Sequence, residues 1–210
     1  MIRVLIADDH AIVRKGLIQI LQDAPEAISV EEAESGQEVL DKLRKTIFDA
    51  VVLDISMPGR SGLDTLSQIK TAYPDLPVLI LSMHPEEQYA LRVLKAGASG
   101  YLMKESAPNA LISAVVKVAQ GHKYITPSLA EALATRFEKG GDRKPHEKLS
   151  DREFEVFILI SKGTSVKEIA DSLFLSVKTV HTYRSRILEK MHMKGTAEII
   201  HYAIQNQLIE

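Results

Sequence analysis

The sequence predicts an α/β protein: a doubly wound parallel sheet built from five βα units, followed by an all-α domain of four short helices. Two observations support this prediction. Within residues 1–120, short apolar runs alternate with segments whose apolar residues recur at helical spacing, a pattern typical of parallel α/β sheets. From residue 149 onward, the periodicity is helical throughout.

The five predicted strands are short apolar runs at residues 2–7, 28–33, 50–53, 78–81 and 100–103. The third and fourth runs lack polar alternation, which indicates strands buried on both faces of a parallel sheet. A helix is predicted after each strand, over residues 11–21, 35–45, 63–73, 86–96 and 107–120. Ser35 and Glu38 have the S-x-x-E spacing of a capping box, which supports the start of the second helix.

Residues 121–148 interrupt this alternation and are predicted to link a first domain, residues 1–120, to a second domain, residues 149–210. Residues 126–139 are compatible with one helix. Residues 139–146 are polar and contain helix breakers, so this part of the linker is predicted to be flexible.

Helix-start signals divide the second domain. Two S-x-x-E pairs mark the first two helix starts, and they are Ser150 with Glu153 and Ser165 with Glu168. Gly163 is expected to end the helix between them. Ser176 is the predicted cap of a third helix that stops at Gly195, and a fourth helix spans residues 197–205. Four short helices with a tight link between the second and third fit a helix-turn-helix module.

Composition restricts the class of protein. None of the 210 residues is cysteine, which excludes disulfides and thiolate metal sites and fits a reducing compartment. The N-terminus reaches acidic residues within eight positions, so it does not have the pattern of a signal peptide. No apolar run approaches the roughly 18 residues that span a bilayer. We therefore expect a cytoplasmic protein without a membrane partner.

Charge is distributed unevenly, although the net charge is only −2. Residues 1–120 contain 12 basic and 16 acidic residues, whereas residues 176–194 contain five basic residues and one acidic residue. A locally basic helix beside an acidic domain suggests a polyanion partner. A solvated charged helix face explains the same charges, and charge alone favours that simpler explanation.

Polar residues follow the predicted strands at one edge of the sheet. Asp8 and Asp9 come after the first strand, and Asp54, Ser82 and Lys104 end the third, fourth and fifth. Because the carboxyl ends of parallel strands share one edge, these side chains should converge. Crowded carboxylates repel one another, and Mg²⁺, which prefers oxygen ligands, relieves that repulsion. An ammonium and a hydroxyl beside them make a phosphoryl-transfer site.

Asp54 is the predicted nucleophile of this site because it faces both the metal position and Lys104. Taken singly, each residue is more simply explained as a structural cap or a surface charge, and the prediction depends on their joint placement. Tyr101, taken alone, is best explained as a packing residue. His10 lies beside Asp9, but imidazole is a poor ligand for Mg²⁺, so His10 is not predicted to coordinate it.

Several motifs resemble those of a known family. In the first domain they are ADD after the first strand, LDISMPGRSGLD around the third, LSMH at the fourth and GYLMK at the fifth. In the second domain they are LSDREFEV and IADSLFLSVKTVHTYRSRILEKM. Residues 1–120 resemble the receiver domain of two-component response regulators. The whole chain resembles the NarL/FixJ class, whose output domain is a LuxR-type helix-turn-helix.

The resemblance implies roles for the residues of the pocket. Asp54 would accept phosphate from a sensor histidine kinase. Mg²⁺ would be held by Asp9, Asp54 and the backbone carbonyl of Ser56, with Asp8 acting largely through water. Lys104 would pair with the phosphoryl group, and Ser82 and Tyr101 would form the switch pair, which favours a two-position rotamer for Tyr101. Many receiver domains follow the lysine with proline, whereas Glu105 follows it here, so the Lys104–Glu105 peptide geometry stays open.

The third helix of the second domain is the predicted recognition helix, from about residue 177 to 193. Its apolar stripe, which includes Val177, is expected to pack on the other helices. Residues near its N-terminal end should face base edges in the major groove, and the candidates are Lys178, His181, Thr182 and Ser185. The neighbours expected to contact phosphate or to pack are Thr179, Tyr183, Arg184 and Arg186. Without the resemblance, a protein-interaction module with a basic face is equally compatible.

The resemblance also implies partners and a mode of control. A homodimer on double-stranded DNA is expected, with contacts through the last helix or through the first and fifth helices, and RNA polymerase is a further candidate partner. Phosphorylation would promote dimerisation, release the recognition helix, or do both. One alternative is a phosphatase or phosphotransferase that uses the same aspartate chemistry. Another is a ligand-sensing LuxR-type regulator, against which the acidic strand ends argue.

Overall fold

The computed structural model describes residues 1–57, 62–138, 144–206 and 208–209 of the chain. Its contacts divide the chain into two compact units, Met1–Thr135 and Arg136–Glu210. Residues 58–61 of the third-strand motif and residues 139–143 of the predicted flexible linker lie outside the described residues.

The first unit is built around a five-stranded parallel sheet with the order β2-β1-β3-β4-β5. The strands are β1 (Ile2–Ala7), β2 (Ile28–Ala33), β3 (Ala50–Asp54), β4 (Val78–Ser82) and β5 (Gly100–Met103). The order reverses direction at β1, which makes the sheet doubly wound as predicted. Every residue of β3 and β4 is buried, which explains why their sequences lack polar alternation.

Helices cover both faces of this sheet. They are α1 (Ala11–Gln22), α2 (Gly36–Leu43), α3 (Gly62–Ala72), α4 (Glu86–Lys95) and α5 (Ala107–Ala119). The hydroxyl of Ser35 accepts a hydrogen bond from the Glu38 amide, so the predicted cap of α2 is present. Apolar side chains of α1 and α5 pack with those of the central strands into one core.

The register of the sheet aligns the polar strand ends. Ala7 lies opposite Leu53, Asp54 opposite Leu81, and Ser82 opposite Met103. Because the pairing is parallel, the residues that follow β1, β3, β4 and β5 all reach the same edge of the sheet.

The chain after α5 continues on the first unit. Tyr124 forms an isolated parallel bridge with Gly100 of β5, and α6 (Pro127–Glu138) follows, where residues 126–139 were predicted to be helical. The first part of the predicted linker therefore contacts the sheet.

The second unit is helical, with α7 (Asp151–Ser161), α8 (Val166–Ser172), α9 (Val177–Met191) and α10 (Thr196–Gln205). Both predicted capping boxes are present, at Ser150 and Ser165, and α7 packs against α9 and α10. The expected stop of α9 at Gly195 is wrong. The helix ends at Met191, its C-cap residue His192 has a left-handed φ of 56°, and Gly195 instead precedes α10.

Candidate phosphorylation pocket and nucleic-acid interface

The structure brings Asp8, Asp54 and Lys104 into direct contact. The Lys104 Nζ atom lies 2.6 Å from Asp8 Oδ2 and 2.7 Å from Asp54 Oδ2. Asp8 is fully buried and Asp54 is 1% exposed, whereas Asp9 is partly exposed. Each buried carboxylate also accepts a hydrogen bond from the amide two residues further on: His10 N–H donates to Asp8 Oδ1, and Ser56 N–H donates to Asp54 Oδ1. The pocket therefore holds two buried carboxylates on one ammonium.

Burial and neighbouring charge shift the pKa values of Asp54 and Lys104 in opposite directions. Burial raises the pKa of the Asp54 carboxyl above its ordinary value, and the Lys104 ammonium opposes that shift. Burial alone would lower the pKa of Lys104, but the carboxylates of Asp54 and Asp8 outweigh it and raise that pKa. Lys104 consequently stays charged and stabilises negative charge beside it.

The carboxylates fit a hard cation. Ligand atoms of Asp8, Asp9, His10 and Asp54 all lie within 4.8 Å of one another. The buried Oδ1 atom of Asp9 accepts no hydrogen bond of good geometry from the described part of the chain. Three carboxylates offer the oxygen donors that Mg²⁺ prefers. The imidazole of His10 lies 3.0 Å from Asp9 Oδ1, so it contacts the acids at the rim of the pocket.

Ser82 and Tyr101 are joined through the loop that follows β4. The His84 amide donates to Ser82 Oγ at 3.0 Å, and the Tyr101 hydroxyl donates to the His84 carbonyl at 2.7 Å. Tyr101 is 1% exposed and thus has an inward rotamer. The peptide bond between Lys104 and Glu105 is trans, and a short 3₁₀ turn, Lys104–Ser106, leads into α5.

Two residues beside the pocket were missed by sequence reasoning. The guanidinium of Arg14, which is buried, donates to the Asp8 carbonyl at 2.8 Å and to Glu32 at 3.0 Å, so it ties the end of β1 to β2. Gly62 lies so close to the acceptor strand that a methyl group there would overlap the carbonyl oxygen of Asp54. The sequence offered one signal for each: Arg14 is a basic residue within an amphipathic helix, and Gly62 is a glycine at the start of a helix.

The second candidate site is the exposed face of α9. Lys178, His181, Thr182 and Ser185 are all exposed, and so is Arg186. The opposite face carries buried Val180, Ile187 and Met191. The predicted polar face thus lies in solvent. Val177 departs from the expected apolar stripe, because it is 47% exposed and lies beside the polar residues at the start of the helix.

Other residues of α9 make contacts within the second unit. Arg184 donates to Thr196 Oγ1 at 3.0 Å, which ties α9 to α10. The hydroxyl of Ser176 caps the start of α9 by accepting a hydrogen bond from the Thr179 amide. Lys190, one of the five basic residues of this region, lies 2.6 Å from buried Glu153. The basic surface is consequently smaller than the sequence suggests.

None of the helices in the described ranges combines the length and the apolar character that a membrane crossing requires.

Comparison with known proteins finds a family match for each of two parts of the chain. The family model for the response regulator receiver domain matches residues 4–116, and that for bacterial regulatory proteins of the luxR family matches residues 147–203. The oxygen regulatory protein NreC of Staphylococcus carnosus is 38% identical over 215 residues, covering 99% of both chains. The response regulator UvrY of Escherichia coli is 37% identical over 209 residues, covering 99% of this chain and 96% of UvrY.

Solved structures agree with these matches. The response regulator RcsB of Salmonella enterica serovar Typhimurium, bound to the rprA promoter in the presence of phosphomimetic BeF₃⁻, is 28% identical with a TM-score of 0.65. The alignment covers 96% of this chain and 98% of RcsB. The chain therefore belongs to the two-component response regulators of the NarL/FixJ class, with a receiver domain and a LuxR-type DNA-binding domain.

Proposed function

We propose that phosphorylation of Asp54 by a sensor histidine kinase controls DNA binding through the exposed face of α9. The single observation that carries this proposal is the buried Asp54 carboxylate, held 2.7 Å from the Lys104 ammonium at the carboxyl end of β3. A buried carboxylate beside a fixed positive charge is suited to accept a phosphoryl group.

The transfer itself requires little from the protein beyond position and charge. A carboxylate oxygen of Asp54 attacks the phosphorus of a phosphohistidine, the P–N bond breaks, and the imidazole leaves, so that an acyl phosphate remains on Asp54. The Lys104 ammonium stabilises the charge that spreads over the transferred oxygens. Asp8, Asp9, Asp54 and the carbonyl of Ser56 would hold Mg²⁺, which neutralises the same charge when bound.

Ser82 and Tyr101 are the proposed readout of the phosphoryl group. Ser82 ends β4 next to Asp54 and is bonded to the backbone of His84, whose carbonyl accepts from Tyr101. A hydrogen bond from Ser82 to the phosphoryl oxygen would therefore act on the same loop that Tyr101 holds.

For the DNA-binding domain, we propose that Lys178, His181, Thr182 and Ser185 face base edges and that Arg186 contacts phosphate. Their exposure on one side of α9 supports this assignment. Thr179, Tyr183 and Arg184 are half-buried, and Arg184 donates a hydrogen bond to Thr196. We therefore propose that these three residues mainly hold α9 in place within the domain.

A homodimer on two half-sites is proposed, because one small helix-turn-helix makes few contacts with DNA. In α10, Ile199 and Ala203 are buried in the core, whereas Ile204 is 55% exposed. Ile204 is consequently the candidate for the dimer contact. Replacing it with glutamate should weaken dimerisation on DNA and leave folding of the monomer intact, which sedimentation with and without a two-half-site duplex would measure.

The main test compares wild type with Asp54→Asn. Wild-type protein treated with acetyl phosphate and Mg²⁺ should acquire one phosphoryl group and bind target DNA roughly 5–150-fold more tightly, the usual range of allosteric coupling. Asp54→Asn should acquire none and keep its basal DNA affinity. Equal DNA affinity of treated and untreated wild type would contradict the proposal.

We also propose that the protein is a regulator and has no phosphatase turnover of its own, apart from slow loss of its acyl phosphate. The exposed recognition face on α9 and the family favour this over the phosphatase alternative. Steady hydrolysis of small phosphate esters by wild type, absent in Asp54→Asn, would show that the enzyme hypothesis is right.

A further inference from the structure

The segment that follows α5 is attached to the edge strand β5. The Tyr124 amide donates to the Ser99 carbonyl at 2.8 Å, and Tyr124 pairs with Gly100 in a parallel bridge. A Cβ atom at Gly100 would come within 2.8 Å of Tyr124, so the close approach requires glycine there. Lys123 adds a hydrogen bond to the Ala98 carbonyl at 2.7 Å.

Next along the segment, two hydroxyls hold the first side chain of α4. Thr126 Oγ1 lies 2.7 Å from both carboxylate oxygens of Glu86, and Ser128 Oγ lies 2.7 Å from Glu86 Oε2. Glu86 is only 9% exposed. Burying a carboxylate costs free energy unless it is hydrogen-bonded, so losing these hydroxyl contacts would leave the Glu86 carboxylate buried without compensation for its lost hydration. We call Glu86, Thr126 and Ser128 the Glu86 clamp.

The other end of the same loop reaches the phosphorylation pocket. Residues 82–86 run from Ser82, at the end of β4, to Glu86, at the start of α4. His84 lies between them, bonded to Ser82 and Tyr101, and its ring stacks on Tyr89 of α4 with centroids 4.6 Å apart. Only residues 83–85 therefore separate Ser82 of the proposed switch pair from Glu86 of the clamp, and hydrogen bonds hold both ends of this loop.

We propose that Glu86 is a positioning residue that carries the phosphorylation state of Asp54 to the segment leading toward the DNA-binding domain. The inference rests on the proposed function of Asp54. Tyr101 holds one end of the 82–86 loop through the His84 carbonyl, and Thr126 with Ser128 holds the other end through Glu86, so a shift of this loop must act on both sets of contacts. Phosphorylation, which draws Ser82 toward the phosphoryl group and fixes Tyr101 in its inward position, accordingly tightens the clamp and orders residues 124–129, which lead into α6 and form its first turn.

Coupling of this kind is reciprocal. If the phosphoryl group strengthens the clamp, then the closed clamp must strengthen binding of a phosphoryl analogue by the same factor. Loss of the clamp should thus weaken BeF₃⁻ binding in the presence of Mg²⁺ by about fivefold or more, the lower end of typical allosteric couplings. No residue of the acceptor pocket is changed in such a variant.

The experiment uses the full chain in four forms: wild type, Glu86→Ala, Glu86→Gln and the control Ser113→Ala. Ser113 is exposed on α5 and its hydroxyl donates to the Ala110 carbonyl of the same helix, so its replacement removes a hydroxyl without touching the clamp. Hydrogen exchange is followed at the amides of Tyr124, bonded to Ser99, and Leu129, bonded to Thr126 Oγ1.

In wild type and Ser113→Ala, BeF₃⁻ with Mg²⁺ should slow exchange at both amides. Glu86→Ala should lose this response and the gain in DNA affinity, while Glu86→Gln, which keeps hydrogen-bonding capacity, should retain part of each. The rate of Asp54 phosphorylation by acetyl phosphate at saturating donor should stay at the wild-type value. Ser128→Ala, an exposed position, provides a milder variant with the same direction of effect if Glu86→Ala folds poorly.

Unchanged exchange at Tyr124 and Leu129 in wild type on BeF₃⁻ addition would overturn the inference, as would a full DNA response in Glu86→Ala. Failure of the proposed function looks different. In that case wild-type DNA affinity does not respond to BeF₃⁻ at all, and the exchange measurement still decides whether the clamp senses the pocket.

Discussion

The candidate phosphorylation pocket and the proposed DNA-binding face of α9 contain polar residues in opposite environments. In the pocket, Asp54 and Lys104 are separated by 50 positions in the sequence and meet in the buried end of a sheet. On α9, Lys178 and Ser185 lie on one exposed helix face. Charge acts strongly in the first place because water is excluded, and weakly in the second until DNA arrives. A substitution should therefore alter chemistry or folding in the pocket, and only binding on α9.

The largest effect expected from this contrast follows the loss of Lys104. Lys104→Met removes the only charge shown to contact both Asp8 and Asp54 among the described residues, so phosphorylation by acetyl phosphate should slow by roughly 10²–10³-fold. The exposed control Lys117→Met should phosphorylate at the wild-type rate. A Lys104→Met rate within a few-fold of wild type would show that burial does not amplify this charge.

A matched pair of glycines tests how tightly the acceptor strand is packed. Gly62→Ala places a methyl group against the Asp54 carbonyl and should destabilise the protein by about 1–3 kcal/mol. Gly16→Ala, in the middle of α1 with open space around it, should instead stabilise it by about 0.5–1 kcal/mol. Urea unfolding of both variants measures the difference, and equal free energies of unfolding would contradict the close approach at Gly62.

Two lysines of α9 should separate DNA binding from folding. Lys178→Ala, at an exposed position, should weaken DNA binding by roughly 1 kcal/mol, about fivefold, with the melting temperature unchanged. Lys190→Met leaves buried Glu153 without its ammonium partner and should cost about 1–3 kcal/mol of stability. DNA titration and thermal unfolding of both variants measure the two effects. The prediction is wrong if both substitutions lower DNA affinity alone, or if both lower the melting temperature alone.

The smallest expected effect is on how the free energy of unfolding depends on pH. Asp54 in the first unit and Glu153 in the second should change it in opposite directions. Asp54 has a pKa raised by burial, so between its ordinary value of 3.8 and the raised value its contribution to stability falls as pH rises. Burial alone would raise the pKa of Glu153, but Lys190 and Ser150 hold it below its ordinary value of 4.5. Its contribution is therefore present above pH 4.5 and is lost as pH falls through the lowered pKa.

Unfolding free energies of wild type, Asp54→Asn and Glu153→Gln across this acid range provide the measurement. Each substitution should remove the pH dependence that its own carboxyl contributes to the free energy of unfolding. That contribution changes by at most about 1.4 kcal/mol per pH unit. Slopes of the same sign for the two positions would contradict the pKa directions.

Sequence reasoning was most accurate where structure depends on near neighbours. The strands and helices lie within about two residues of the predicted bounds, because apolar period and capping boxes such as Ser150 with Glu153 involve residues at most four apart. The end of α9 is the exception. His192 takes a left-handed conformation that usually favours glycine, so the local signal pointed to Gly195 instead.

What the sequence by itself determined is the order of elements, and with it the edge of the sheet where Asp8, Asp54, Ser82 and Lys104 had to end. Parallel pairing leaves those strand ends no other edge. The tertiary structure alone decided which atoms meet there and beyond it: Gly62 against the Asp54 carbonyl, Lys190 on Glu153, and Thr126 with Ser128 on Glu86. Such contacts join residues that are eight or more positions apart and whose own neighbours give no signal, because they arise from packing rather than from local periodicity.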